Sequence, residues 1–153
     1  MWATTISAML SNVIFYSIDK AIRQYRKLAQ ANIDRAGIAI TVDQWLVLQV
    51  IREKDDVTQM EIAERVFKDQ ASVARIIRLL INHGLLTAEA LPGDGRRSRL
   101  RVTATGEQTL AAVEPIVLNN RKIALQGISE DDLTILRHLL DRISANCSTP
   151  SSH

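Results

Sequence analysis

The chain has 153 residues, about one domain's worth, and can bury a core without disulfide staples. Hydrophobic residues make up 46% and charged residues 24%, an ordinary globular balance that excludes a largely disordered chain. The net charge of +2 conceals a segregation: between Arg65 and Arg101 stand eight basic residues against three acidic ones, a local excess that suits a polyanion.

The first twenty residues are apolar, but they include Ser7, Ser11, Asn12 and Ser17, lack a basic leader and run into Asp19 and Lys20. A membrane span or signal peptide is therefore not expected. Apolar positions from Ile6 through Ala29 recur at intervals of three and four, which predicts one long amphipathic helix over 6–35, broken at most once, with Gly37 as its left-handed cap.

Thr41 opens a second helix, TVDQWLVLQVIREK, with Gln44 three residues on, so each side chain can satisfy the other residue's backbone N–H. Thr58 and Glu61 repeat the spacing at the start of a short third helix that turns Ile62, Ala63 and Val66 inward. Asp69 caps a fourth, DQASVARIIRLLINHG, with Val73, Ile76, Ile77, Leu80 and Ile81 on the buried side and Gly84 past its end. Its other face carries Gln70, Ala71, Ala74, Arg75 and Arg78. Two short helices, the second with a small, polar and basic outer face, are what a helix-turn-helix lays into a major groove.

LLTAEA and SRLRVT read as strands joined through Pro-Gly and Asp-Gly turn signals, giving a hairpin. Alternation puts Leu100 and Val102 on one face and Arg99 and Arg101 on the other. Thr103 begins the next helix, which Pro115 can kink, and Ser129 begins the last, with Leu133, Leu136, Leu140 and Ile143 on one stripe. The apolar surface of the first and the last two helices exceeds what one small helix-turn-helix can cover, so a homodimer is expected.

Catalysis and metal binding find no support. His83, His138 and His153 have no ligand partner at helical spacing, and neither a Gly-rich phosphate loop nor a nucleophile with an adjacent base is present. Cys147, the only cysteine, excludes an internal disulfide and suits the cytoplasm.

The element order and four of these stretches together resemble the MarR family of winged-helix transcription regulators. ITVDQWLVLQVI resembles that family's entry into its second helix. QMEIAERVFKDQASVARIIRLLINHGLL resembles its helix-turn-helix and exit, and GDGRRSRLRVTATGE its wing and following helix, with Asp94-Gly95-Arg96 in the place of an Asp-x-Arg motif. Ala74 departs from a commonly hydroxylic position, and Gly95 from a commonly basic one.

The resemblance implies a mainly α fold with a winged helix-turn-helix at about 41–103 and dimerisation helices at about 6–36 and 104–145. All of it forms a single domain over 1–145, with 146–153 as a disordered tail. It implies no cofactor and a homodimer on a pseudo-palindromic double-stranded DNA operator, acting as a repressor. The alternative is a winged-helix protein-interaction module. Gln70, Ser72 and Arg75 are the expected hydrogen-bond donors to the DNA, and Ala71 and Ala74 allow close approach or meet a thymine methyl. Arg96 is expected in the minor groove, Asp94 as a brace for Arg96 or Arg75, and Arg78, Arg97 and Arg99 on phosphates. A small aromatic or phenolic anion is the expected effector, with Tyr16, Arg23, Tyr25 and Trp45 lining its cleft.

Overall fold

The structure, a computed structural model, describes residues 9, 10, 12–91 and 93–148, those at 94–98 by their backbone alone. Six helical segments and one hairpin follow among the described residues in the order α1 (Ile14–Arg35), α2 (Val42–Glu53), α3 (Gln59–Val66), α4 (Gln70–Asn82), β1 (Leu86–Leu91), β2 (Asp94–Val102), α5 (Ala104–Ala124) and α6 (Glu130–Ser148). The chain divides into two compact units, Met1–Asn120 and Arg121–His153.

In the first unit α1 begins afresh at Ile14, because Val13 is extended. The part of the expected helix over 6–8 lies outside the described residues. At its far end Ile33 is buried, and the chain turns through Gly37 at φ +75°, where the backbone N–H of Ile38 reaches back to the carbonyl of Ile33. The N-terminal half of α1 leaves Ile14, Phe15, Tyr16 and Ile22 exposed.

The caps read from sequence form. Thr41 and Gln44 make the reciprocal box on α2. Thr58 Oγ1 accepts from the backbone N–H of Glu61, whose carboxylate takes Lys54 Nζ at 2.7 Å. The core these helices enclose is built from Val47, Leu48 and Ile51 of α2, Ile62 of α3, Val73, Ile77 and Leu80 of α4, Leu86 of β1, and Leu110 and Val113 of α5. Inward positions on each helix recur at three and four residues, so the apolar periodicity and the packing are one fact.

The hairpin is antiparallel, pairing Leu86 with Val102 and Glu89 with Arg99. Its register shifts between Ala90 and Leu91, which pairs with Asp94, so β2 starts earlier than the expected SRLRVT and carries extra residues at the wing tip. Leu100 and Val102 pack against the core, as alternation requires. Thr103 closes the hairpin against the helix-turn-helix: its Oγ1–H donates to the Gly84 carbonyl and its N–H to that of Leu85. The same hydroxyl oxygen accepts from Gly106 N–H and so caps α5. α5 runs on through Pro115. Near the end of the first unit Asn120, fully buried, accepts from Asn32 Nδ2 at 2.7 Å and so ties α5 to α1.

The second unit holds the end of α5, a turn at Gly127 with φ +81°, and α6. Ser129 caps α6 by accepting from Asp132 N–H, and acidic residues fill its first turn, where the helix dipole favours them. No residue of α6 is buried, and Ile135, Leu136 and Leu139 are exposed. α6 extends through Ser148, into the segment expected to be disordered. The remainder of that segment lies outside the described residues.

Candidate nucleic-acid interface

α4 sets the site. Val73, Ile77 and Leu80 anchor it in the core, which leaves Gln70, Ala71, Arg75 and Arg78 exposed on the opposite side and Ser72 and Ala74 half-buried. Gln59 of α3 donates through Nε2 to the Gln70 carbonyl at 3.1 Å, fixing the start of α4 against the helix before it.

Asp69 caps α4 through both carboxylate oxygens. Oδ1 accepts from Ser72 N–H at 2.7 Å and Oδ2 from Ser72 Oγ–H at 2.8 Å. These hydrogen bonds, the backbone one first, hold the Asp69 carboxyl below the usual carboxylate range. Two consequences follow. Ser72 has its hydroxyl hydrogen engaged in the cap, and the positive end of the α4 dipole already faces a carboxylate, so arginines rather than the helix end must supply attraction for an anion.

Three of the eight basic residues are engaged with acids. Lys68 Nζ lies 3.2 Å from Asp43, Arg65 pairs with Glu53 at 3.0 Å, and Arg101 pairs with Glu89 at 3.4 Å. Arg99 is half-buried, and its Nε is enclosed without a hydrogen-bond partner among the described residues. Arg75 and Arg78 make no ion pair with any described side chain, so they are the cations that α4 offers outward. The side chains of Asp94, Arg96 and Arg97 lie outside the described residues.

Of the residues expected in an effector cleft, Tyr16 is exposed, and Arg23 is exposed with its Nε on Asp19 at 3.0 Å. Tyr25 is half-buried. Trp45 packs against the core with Nε1 enclosed and unpartnered among the described residues.

Sequence reasoning missed Gln59, Gln30 and Asp43. Gln30 of α1 accepts from Val42 N–H at 2.9 Å and donates to the Ile40 carbonyl, pinning the loop into α2. Asp43 holds both Arg26 and Lys68. No periodicity relates these residues, so nothing local could have flagged them.

The model of the MarR family matches residues 38–97, the span from the end of the α1–α2 loop into the wing. Over that span the winged helix-turn-helix matches the MarR family's model. The likeness to solved structures extends well beyond those residues. A probable transcriptional regulator from Pseudomonas aeruginosa is 26% identical, with 88% of this chain and 98% of that one covered at a TM-score of 0.77. BpsR of Bordetella bronchiseptica, whose DNA binding is regulated by 6-hydroxynicotinic acid, shares the fold at 20% identity and a TM-score of 0.78, over 88% of this chain and 94% of BpsR. A mutant MarR from E. coli complexed with operator DNA shares it at 20% identity and a TM-score of 0.75, over 82% and 89%. No helix among the described residues is long and apolar enough to cross a membrane.

Proposed function

We propose that the protein is a sequence-specific, double-stranded-DNA-binding transcription regulator of the MarR type, acting as a homodimer. In this reading α4 lies in the major groove, with Gln70, Ala71, Ala74 and Arg75 toward base edges and Arg78 on a phosphate. The wing carries Arg96 into the adjacent minor groove, braced by Asp94, with Arg97 on the backbone. The observation that carries the reading is charge placement: the neighbouring cations Arg65, Lys68 and Arg101 are paired, whereas Arg75 and Arg78 stand outward on the exposed face of a helix anchored by three core residues. Arg99, half-buried, fits a supporting role in the wing better than a leading one.

Selection of duplex fragments by the purified protein tests it. The expected site is two-fold symmetric, with half-sites about one helical turn apart. Arg75→Ala is expected to lose about 1–3 kcal/mol of discrimination at one base pair, and Arg78→Ala to weaken all duplexes alike while lowering the salt slope by about 0.9. An asymmetric site would overturn the dimer, and no preference for any duplex would overturn DNA binding.

Repression relieved by a small aromatic or phenolic anion belongs to the same proposal. Trp45, with its indole N–H unpartnered among the described residues, and Tyr25, half-buried, support it best. Arg23 serves such an anion only by giving up Asp19. Titrating salicylate-like anions against the fluorescence of a Trp2→Phe variant, with and without Trp45→Phe, reports whether Trp45 senses them.

A second reading, the protein-interaction module, is favoured by one observation. Phe67, in the turn between α3 and α4, is 93% exposed. Loss of a protein partner in Phe67→Ala, with duplex affinity absent from the wild type, is the result that would select it.

A further inference from the structure

Asp43 is the second residue of α2, and its carboxylate is shared by two cations from different parts of the chain. Oδ1 accepts from Nη2 of Arg26 on α1, and Oδ2 lies 3.2 Å from Nζ of Lys68. Lys68 belongs to the turn between α3 and α4, immediately before the Asp69 that caps α4. All three side chains are between 31% and 42% exposed, so their ion pairs contribute little to global stability. What a carboxylate held from two sides does fix is geometry. A second contact braces the same joint: Gln30, four residues along α1 from Arg26, grips the Ile40 carbonyl and Val42 N–H on either side of the α2 start. The turn itself is tight, with Phe67 left-handed at φ 58° and the N–H groups of Phe67 and Lys68 both donated to the Ala63 carbonyl.

We propose that Asp43 is a positioning residue that couples α1 to the turn leading into α4, and so fixes where each reading helix stands relative to the dimerisation helix that carries it. The second clause rests on the DNA-binding dimer proposed above; the first does not. Without the Asp43 charge, Arg26 and Lys68 have lost the anion that draws them together, and the turn is released from α1. Without Arg26 the Asp43–Lys68 pair persists, but its link to α1 is cut. The two variants therefore share one consequence by different routes, confined to the turn, whereas a general loss of stability quickens exchange throughout the chain.

Two measurements on the full chain test the coupling, using Asp43→Asn, Arg26→Gln and the conservative Asp43→Glu, with urea unfolding to establish that each folds. Amide hydrogen exchange at Phe67 and Lys68 is expected to quicken several-fold in Asp43→Asn and in Arg26→Gln, and to stay near wild type in Asp43→Glu. On DNA, the preference for the selected operator over one with a base pair inserted between its half-sites is expected to fall several-fold in the first two variants and to survive in the third. Unchanged exchange in Arg26→Gln overturns the coupling, even if Asp43→Asn responds. Quickened exchange with an unchanged spacing preference overturns the assignment of reach. A wild type that binds no duplex, with exchange responding as expected, upholds the coupling and instead brings down the DNA-binding reading.

Discussion

Gly106 and Leu85 touch through their backbones: a Cβ on residue 106 would collide with the Leu85 carbonyl oxygen and come within 2.6 Å of Val102 Cγ1. That oxygen cannot retreat freely, since it accepts from Thr103 N–H at 3.1 Å. Gly106→Ala should therefore destabilise the fold by about 1–3 kcal/mol through overpacking, despite the roughly 1 kcal/mol that alanine gains over glycine in a helix. Urea denaturation measures it. A variant as stable as the wild type would mean that the start of α5 can slide away from the wing.

Phe67 is a bulky residue at φ 58°, with nothing gained from burial. The left-handed conformation costs an L-residue about 1–2 kcal/mol, while glycine gives back about 0.5–1 kcal/mol through its freer unfolded chain. Phe67→Gly should thus raise stability by up to about 1 kcal/mol, read as a higher urea midpoint at constant slope.

The local grammar of the fold was legible in the sequence and the non-local clasps were not. Thr41 with Gln44, Thr58 with Glu61, and Asp69 at the start of α4 are three-residue relationships that a cap imposes whatever surrounds it. The outer face of α4 followed from its buried stripe at Gln70, Ala71, Arg75 and Arg78, although Ala74 is half-buried and Ile81, expected inside near the end of the helix, is exposed. By contrast, Asp43 with Arg26 and Lys68 joins three elements, and only the packed fold brings their side chains together. The early start of β2 depends on a register shift that alternation cannot reveal. Charge counting found the basic excess, but could not say that Arg65, Lys68 and Arg101 would be matched with acids while Arg75 and Arg78 would not.

The Asp69 carboxyl sits below its ordinary range because the ionised form accepts two hydrogen bonds from Ser72. A depressed carboxyl contributes stability that is fully present above its unfolded value and is lost as pH falls through the folded one. Asp69→Ser keeps a capping oxygen but removes that titration. The variant should lose less stability than the wild type as pH drops through and below the ordinary carboxylate range, with the two curves parallel near neutrality. Acid-limb curves that stay parallel throughout would mean that the cap has no part in the acid response.

In α6, Leu133, Leu140 and Ile143 are half-buried, while Ile135, Leu136 and Leu139 are exposed and no residue is buried. An isolated helix of this length is marginal in water, because most helical stability in proteins comes from packing an apolar face. If a second copy supplies that packing, Leu136→Glu with Leu139→Glu places two charges at the seam and should yield single chains in sedimentation, with helix content lost from α6. The winged helix should keep its own cooperative unfolding, since Leu48, Ile62, Val73 and Leu80 lie in the first unit. Retention of the wild-type mass by the double variant would place the dimer contact elsewhere, with the exposed Ile14, Phe15 and Ile22 of α1 as the next face to test.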